Sequence, residues 1–573
     1  MDYLNRCKER ILSDLYADLI VDFTPPARVV FPNQVEDYCF VPVGDYNMIY
    51  VNRTEVPPFS MDLYSYVNTP NLYGLMQNEF DPVSLLVSGI SQIQRPPLSL
   101  RGQGVIIAFI DTGIDYTLDI FRDANKESRI LAIWDQENQT GTPPEGFLYG
   151  SEYRREQINE ALRSENPYSV VPSRDELRHG TSMAGVAAGS GIDGGRTYIG
   201  AAPEADIVVV KLKQCKPYLR DFYLIQEDVP AYSENDIMLG VKYAESFAIA
   251  FERPVIICLG IGTNQGNHAG TSALARYLNQ VATTRSRAVV IGGGNEGNAA
   301  HHFAGKLEQE SNDLSDYQDA EIRVGAGVRG FVLEMWGNFT DVFYISIRSP
   351  GGESIQPTRI RGGRSGGSYN FVFEDTRITI DSILVEQSTG QELIVMRFEA
   401  PTEGIWNIRV YAQGEVYNGV YHMWLPIRQF MAGDVYFLRP DPYITMTEPA
   451  YAENAITVST FNDRNNSFYQ ESGRGFSKDG GVKPDMSAPG VNISTIYGTQ
   501  TGSSLASAIT AGAVAQFMQW AVVEGNRPFV EGVEVKSYFI RGANRSGNME
   551  YPNPEWGYGS LDISGTFETI AEV

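Results

Sequence analysis

The chain has 573 residues, 43% of them hydrophobic and 20% charged, with a formal net charge of −25 and a pI near 4.7. So large an acidic excess argues against a nucleic acid or an anionic membrane surface as partner, and no uncharged apolar run approaches the ~18 residues of a membrane span. The length predicts a soluble globular protein of roughly two to four domains, and the four cysteines, Cys7, Cys39, Cys215 and Cys258, are too scattered to predict a metal site or a disulfide framework.

The N-terminal stretch MDYLNRCKERILSDLY is charged throughout and lacks the apolar core of a signal peptide. A reducing compartment is the resulting expectation. Leu4, Cys7, Ile11, Leu12, Leu15 and Leu19 recur at helical spacing, and strand-like pieces follow at Leu19–Phe23, Tyr38–Val43 and Asn47–Val51. Residues 1–77 therefore read as a small α+β unit. Pro57, Pro58 and Pro70 interrupt regular structure before the open stretch NLYGLMQNEF.

From about residue 103 the pattern changes. Val105–Ile110, Ile207–Leu212, Val255–Leu259, Ala288–Ile291 and Ala455–Val458 are continuous apolar runs, as expected of strands buried on both faces. Helical patterns at Asp236–Phe251 and Thr271–Ser286 alternate with them. This alternation predicts an α/β fold, a parallel sheet with helices on both faces. Its site should lie beyond the carboxyl ends of the strands.

Between about 320 and 440 the alternation breaks. Short runs rich in Val, Ile, Phe, Tyr and Thr occur at Phe331–Met335, Val342–Ile347, Tyr369–Phe373, Arg377–Ile380, Glu392–Phe398 and Ile405–Tyr411, several of them separated by glycine clusters. They predict an antiparallel β-sandwich inserted into the α/β domain. The expected division is 1–77, then 78–308 and 446–573 as two parts of the α/β domain, with the insert at 309–445.

Four segments carry chemistry. AFIDTGID sets Asp111 at a strand end, RHGTSMAGV sets His179 at the start of a small-residue helix, VIGGGNEGN sets Asn295 just past a strand, and YGTQTGSSLASAITAGAVA sets Ser504 in the first turn of a helix. A hydroxyl is a weak nucleophile and needs a base. An imidazole oriented by a buried carboxylate supplies one, and an amide beside free helix N–H groups can hold an oxyanion. Each residue alone has an ordinary alternative: an N-cap for Ser504, a turn for Asp111 or Asn295, a core position for His179. The order Asp, His, Asn, Ser outweighs those alternatives.

With these motifs the chain resembles a subtilase, a serine protease of the subtilisin family. KPDMSAPGV at Lys483–Val491, GYGSLD at Gly557–Asp562 and LVSGISQIQR at Leu86–Arg95 also resemble that family's segments. The resemblance implies a subtilisin-like fold and an acyl-enzyme on Ser504, with His179 as base, Asp111 as orienter and Asn295 in the oxyanion hole. Leu259, Gly260, Gly262, Gly292, Gly293 and Gly294 would line the substrate cleft. Residues 1–77 would be a prodomain, cut after Gln77 or its neighbours Leu75 and Met76 and kept bound as an inhibitor. Ser182, Ser503, Leu505 and Ala508 depart from the residues usual in that family.

The short N-terminal unit and the inserted sandwich further resemble the clostridial Csp-type subtilases. Those carry a jelly-roll insert and activate a cortex-lytic precursor in spore germination. This likeness implies a cytoplasmic or spore-associated protease acting on a polypeptide, with no cofactor, no metal, no nucleic acid and no membrane partner. The rivals are a non-catalytic regulatory pseudoprotease and a binding scaffold in which the sandwich holds carbohydrate or protein.

Three weaker patterns point elsewhere. Gly292–Gly297 matches G-x-G-x-x-G, but NAAHHFAGK is a poor start for the helix a dinucleotide site needs. Asp123, Asn125 and Glu127 resemble half a calcium loop that has Ser128 at its glycine position and no glutamate at its twelfth. His301 and His302 are adjacent, which sends their side chains in different directions.

Overall fold

The computed structural model describes residues 3–22, 39–53, 68–76, 78–79, 85–193, 196–308, 317–338, 340–356 and 364–572. Among these, a nine-stranded sheet organises the chain. Its interior strands are, in spatial order, Ile456–Asn462, Arg287–Gly292, Val255–Leu259, Ile106–Asp111, Asp206–Lys211 and Ile130–Asp135, all parallel. Met486–Pro489 adds a further parallel strand, while Ser151–Arg154 and Ser467–Phe468 are antiparallel, so the sheet is mixed. The strand Ile130–Asp135 is missed by the sequence reading because only a loop and the short turn Asp119–Phe121 separate it from Ile106–Asp111. No helix marks its presence.

Side chains alternate across each strand, and the two faces bury different helices. Ile107 and Phe109 pack with the helices His179–Ala188 and Ser503–Met518. Ile106, Ala108 and Ile110 pack with Glu234–Phe251 and Ala273–Ala282. Every residue of Ser503–Met518 is buried, and the helix carries no charged side chain on any face.

The N-terminal unit has a helix, Tyr3–Leu12, and three antiparallel strands in the order Tyr16–Asp22, Tyr46–Asn52, Cys39–Val43. The helical spacing expected through Leu19 ends at Leu12. Leu15 is 62% exposed, and Leu19 is buried on the first strand with Ile49 and Val51. Cys7 and Cys39 are joined in a disulfide, contrary to expectation. The packing of the helix on the third strand brings positions 32 apart in sequence to a Cα separation of 5.2 Å. Cys215 and Cys258 are free thiols and buried.

This unit sits on the helix pair Glu234–Phe251 and Ala273–Ala282, where Cys7, Ile11, Ile20 and Met48 join the core of that face. Buried Lys216 reaches Asp18 at 2.5 Å, and Lys242 Nζ donates to Pro42 O at 2.6 Å. An unpaired buried charge is costly, so the Lys216–Asp18 pair fixes one seating of the unit.

The insert has two antiparallel sheets around one core. The larger runs His302–Lys306, Val420–Trp424, Gly330–Gly337, Glu392–Glu399, Thr376–Ile383, Arg364–Phe371, and the smaller Phe343–Arg348, Gly404–Ala412, Tyr317–Val324, Val435–Phe437. The expected start at 309 falls after its first strand, and the two sheets take in residues 302–437. HFAGK is too short and too mixed to read as a strand alone. Pairing with Val420–Trp424 makes it one.

Candidate active site

Asp111 ends its strand and His179 opens its helix, and the fold brings them together. Asp111 Oδ1 lies 2.7 Å from His179 Nδ1 and also accepts the Thr112 N–H at 2.7 Å. Both side chains are buried. Burial works to lower the His179 pKa, but the charge and hydrogen bond of Asp111 outweigh it, and the pKa is raised above 6.5. With Nδ1 held by the carboxylate, Nε2 is left as the second reactive atom, and it has no hydrogen-bond partner among the described residues.

Asp175, which the sequence reading missed, locks this pair. Its Oδ1 accepts from Arg178 N at 2.8 Å and Thr112 Oγ1 at 2.7 Å, and its Oδ2 from Thr181 N at 2.8 Å and Thr181 Oγ1 at 2.6 Å. Thr112 Oγ1 in turn accepts from Gly180 N at 3.0 Å. One carboxylate thus ties the strand end that carries Asp111 to the helix start that carries His179. The available signal was an acidic residue just ahead of a helix start.

Ser504 lies in the first turn of Ser503–Met518. Its Oγ donates to the main-chain oxygen of Met76 at 2.9 Å. Ser503 N donates to Asn295 Oδ1 at 3.1 Å, which pins the amide and leaves Asn295 Nδ2 buried without a partner among the described residues. Such a donor gains a bond only when an acceptor enters beside it.

The segment before Met76 is an extended strand. Leu72–Leu75 lies antiparallel between Tyr232–Ser233 and Ile261–Gly262, with Tyr73 opposite Tyr232 and Gly74 opposite Gly262. Met76 N donates to Gly260 O at 3.2 Å. Beyond Ser504, Asn78–Glu79 pairs with Gly498–Thr501. The Met76 side chain is buried, with Thr447 Oγ1 and Ser503 Oγ 3.6 Å and 3.5 Å from its sulfur. A Cβ on Gly292 would lie only 3.1 Å from its methyl carbon.

Of the residues expected to line the cleft, Gly260, Gly262 and Gly292 therefore meet this segment. Leu259 is buried in the core, Gly293 N donates to Val458 O at 2.8 Å, and Gly294 N donates to Ser503 Oγ at 3.1 Å, so these three hold the site from behind. Gln77, expected to precede the cut bond, lies outside the described residues. The carbonyl against Ser504 belongs to the preceding residue, Met76, because the pairing of Gly74 with Gly262 sets that register.

The weaker patterns have local explanations. Asp123 Oδ1 caps its own turn, accepting from Asn125 N at 2.8 Å and Glu127 N at 3.0 Å. The glycines after Arg287–Gly292 lead to the strand His302–Lys306 without a helix. His301 Nδ1 pairs with Glu296 at 2.7 Å, whereas His302 Nε2 meets His422 Nδ1 at 2.9 Å.

A model of the subtilase family matches residues 102–323 and 442–559 of the chain. The solved structure of the CspB protease of Clostridium perfringens matches with a TM-score of 0.74 and 30% identity, over 85% of this chain and 99% of that one. Among curated relatives, the PI-type proteinase of Lactococcus lactis subsp. cremoris is 23% identical over 474 residues, which is 75% of this chain and 23% of its own length. The PII-type proteinase of Lacticaseibacillus paracasei is 23% identical over 265 residues, or 45% and 12%. The chain thus spans less than a quarter of the length of these curated relatives.

Proposed function

The chain belongs to the subtilase family of serine endopeptidases, and on that premise we propose that Ser504, His179, Asp111 and Asn295 form its catalytic centre. Ser504 Oγ attacks the scissile carbonyl carbon as its proton passes to His179 Nε2. Asp111 holds the imidazole by Nδ1 and stabilises the imidazolium. The oxyanion is held by the Ser504 N–H and Asn295 Nδ2. Collapse breaks the C–N bond, the amine leaves with the proton from His179, and water then hydrolyses the acyl-enzyme by the same steps. Against the rival reading, a non-catalytic regulator, stands the presence of all four groups.

We further propose that residues 1–76 are a prodomain, that the enzyme cuts its own chain after Met76, and that the freed end stays in the cleft as a product inhibitor. The observation that carries this reading is the Met76 carbonyl 2.9 Å from Ser504 Oγ, on a strand paired on both sides. Mass spectrometry of the purified protein tests it. Wild type is expected as a fragment ending at Met76 plus a large one, and Ser504→Ala as a single chain. A wild type that stays whole while cutting other substrates rules self-processing out.

The insert is proposed to be a jelly roll. The 30% identity to the CspB protease across 85% of the chain supports a place among the Csp-type subtilases. On that likeness the substrate is a cortex-lytic precursor, and the protease acts in the cytoplasm or on the spore during germination.

The chemistry fixes a pH dependence. His179 must be uncharged to accept the serine proton, and Asp111 raises its pKa above 6.5. kcat/KM is therefore expected to be full at alkaline pH and to fall on acidification, with a midpoint above the ordinary imidazole value. Asp111→Asn should move the midpoint of the residual activity to lower pH. A wild-type profile that is flat from about pH 8 to about pH 5 contradicts His179 as the base.

A further inference from the structure

The strand Leu72–Leu75 is walled on one side by the insert. Its alternate side chains separate: Tyr73 and Leu75 pack with the helices of the α/β domain, whereas Leu72 lies in a cluster where Leu219 and Tyr223 of that domain meet Val332, Trp424, Ile427 and Phe430 of the insert. Gly74 shares the Leu72 face. A Cβ there would lie 2.6 Å from Ile427 Cδ1, 3.0 Å from Gln429 Oε1 and 3.2 Å from Phe430 Cε1. The Gly74 backbone is that of an ordinary paired strand, which any residue adopts. Glycine is required here by space, not by conformation.

The wall is also rigid. Ile427 and Phe430 are buried, and Phe430 N donates to Ile427 O at 2.9 Å. Asn264 Nδ2 donates to Leu425 O at 3.1 Å. Arg428 N donates to Glu296, whose other partner is His301, and Arg428 Nη2 donates to Asn298 Oδ1 at 3.1 Å. The main chain of loop 425–430 is thus anchored beside Asn295, the residue assigned to the oxyanion, and Ile427 is buried against the Gly74 face.

We propose that this loop is a specificity determinant of the protease, with Ile427 as the residue that restricts the third position before the scissile bond to glycine. The inference rests on the catalytic reading of Ser504. It assigns the insert a direct part in choosing polypeptide substrates: extended segments with glycine at that position and an apolar residue two positions further upstream.

Peptide competition tests it. The decapeptide of residues 71–80 and its copy with alanine in place of Gly74 are mixed with the full-length protein, and the consumption of each is followed by mass spectrometry. Competition yields the ratio of the two kcat/KM values however much of the cleft the chain's own segment occupies. Wild type is expected to prefer the glycine peptide by about tenfold or more, the usual penalty for forcing a methyl group into a packed wall. Ile427→Val deletes only the Cδ1 carbon and should bring the ratio below about threefold, with Ile427→Ala moving it the same way. A wild-type ratio near one, with cleavage that Ser504→Ala abolishes, overturns the inference and leaves the catalytic reading intact. So does a ratio unchanged in both Ile427 variants. Cleavage that survives Ser504→Ala overturns the catalytic reading and this inference with it; cleavage of neither peptide overturns this inference, since the cleft then selects no added substrate.

Discussion

Ser504→Ala is expected to lower kcat for peptide hydrolysis by about a millionfold, and His179→Ala by a similar factor. Asp111→Ala should cost less, about ten-thousandfold, because the carboxylate acts only through the imidazole. The basis is the geometry of three groups held by different elements: a carboxylate at a strand end, an imidazole 2.7 Å away at a helix start, and a hydroxyl in the first turn of a fully buried helix. None accelerates the reaction well without the others. The double variant Ser504→Ala/His179→Ala should therefore be no slower than either single variant by more than a few-fold. Steady-state kinetics on a peptide, with circular dichroism to confirm folding, decides this. Losses that multiply in the double variant would show two independent contributions and refute the unit.

Asn295→Ala is expected to lower kcat by about a hundredfold to a thousandfold with little change in KM. Its Oδ1 is held by the Ser503 N–H at 3.1 Å, which aims the Nδ2 donor and leaves it buried without a partner among the described residues. A donor arranged in this way gains most when negative charge develops on the substrate oxygen, so it stabilises the transition state more than the bound substrate. Asn295→Asp should be at least as damaging, because it replaces the donor with a second negative charge. A variant with raised KM and unchanged kcat would assign Asn295 to ground-state binding instead.

Each chemical group was legible in the sequence because each sits where a local pattern changes. Asp111 follows an unbroken apolar run, His179 opens a run of small residues, and Ser504 follows a glycine ahead of an apolar helix. These are short-range features, and periodicity encodes them directly. Two of the strands that local pattern left undetected, Ile130–Asp135 and His302–Lys306, are defined by partners at Asp206–Lys211 and Val420–Trp424.

Tertiary structure alone decided the remainder, since each case turns on which distant segments meet. The Cys7–Cys39 disulfide depends on how a helix lies on a strand. That the Met76 carbonyl faces the Ser504 hydroxyl depends on the register of Gly74 against Gly262, and a one-residue slip would present a different carbonyl. Asp175 matters because it bridges two elements whose contact no local spacing announces. Sequence showed that an insert exists. Only packing showed that Ile427, some 350 residues downstream, closes on Gly74, because van der Waals exclusion acts between neighbours in space and leaves no periodic trace along the chain.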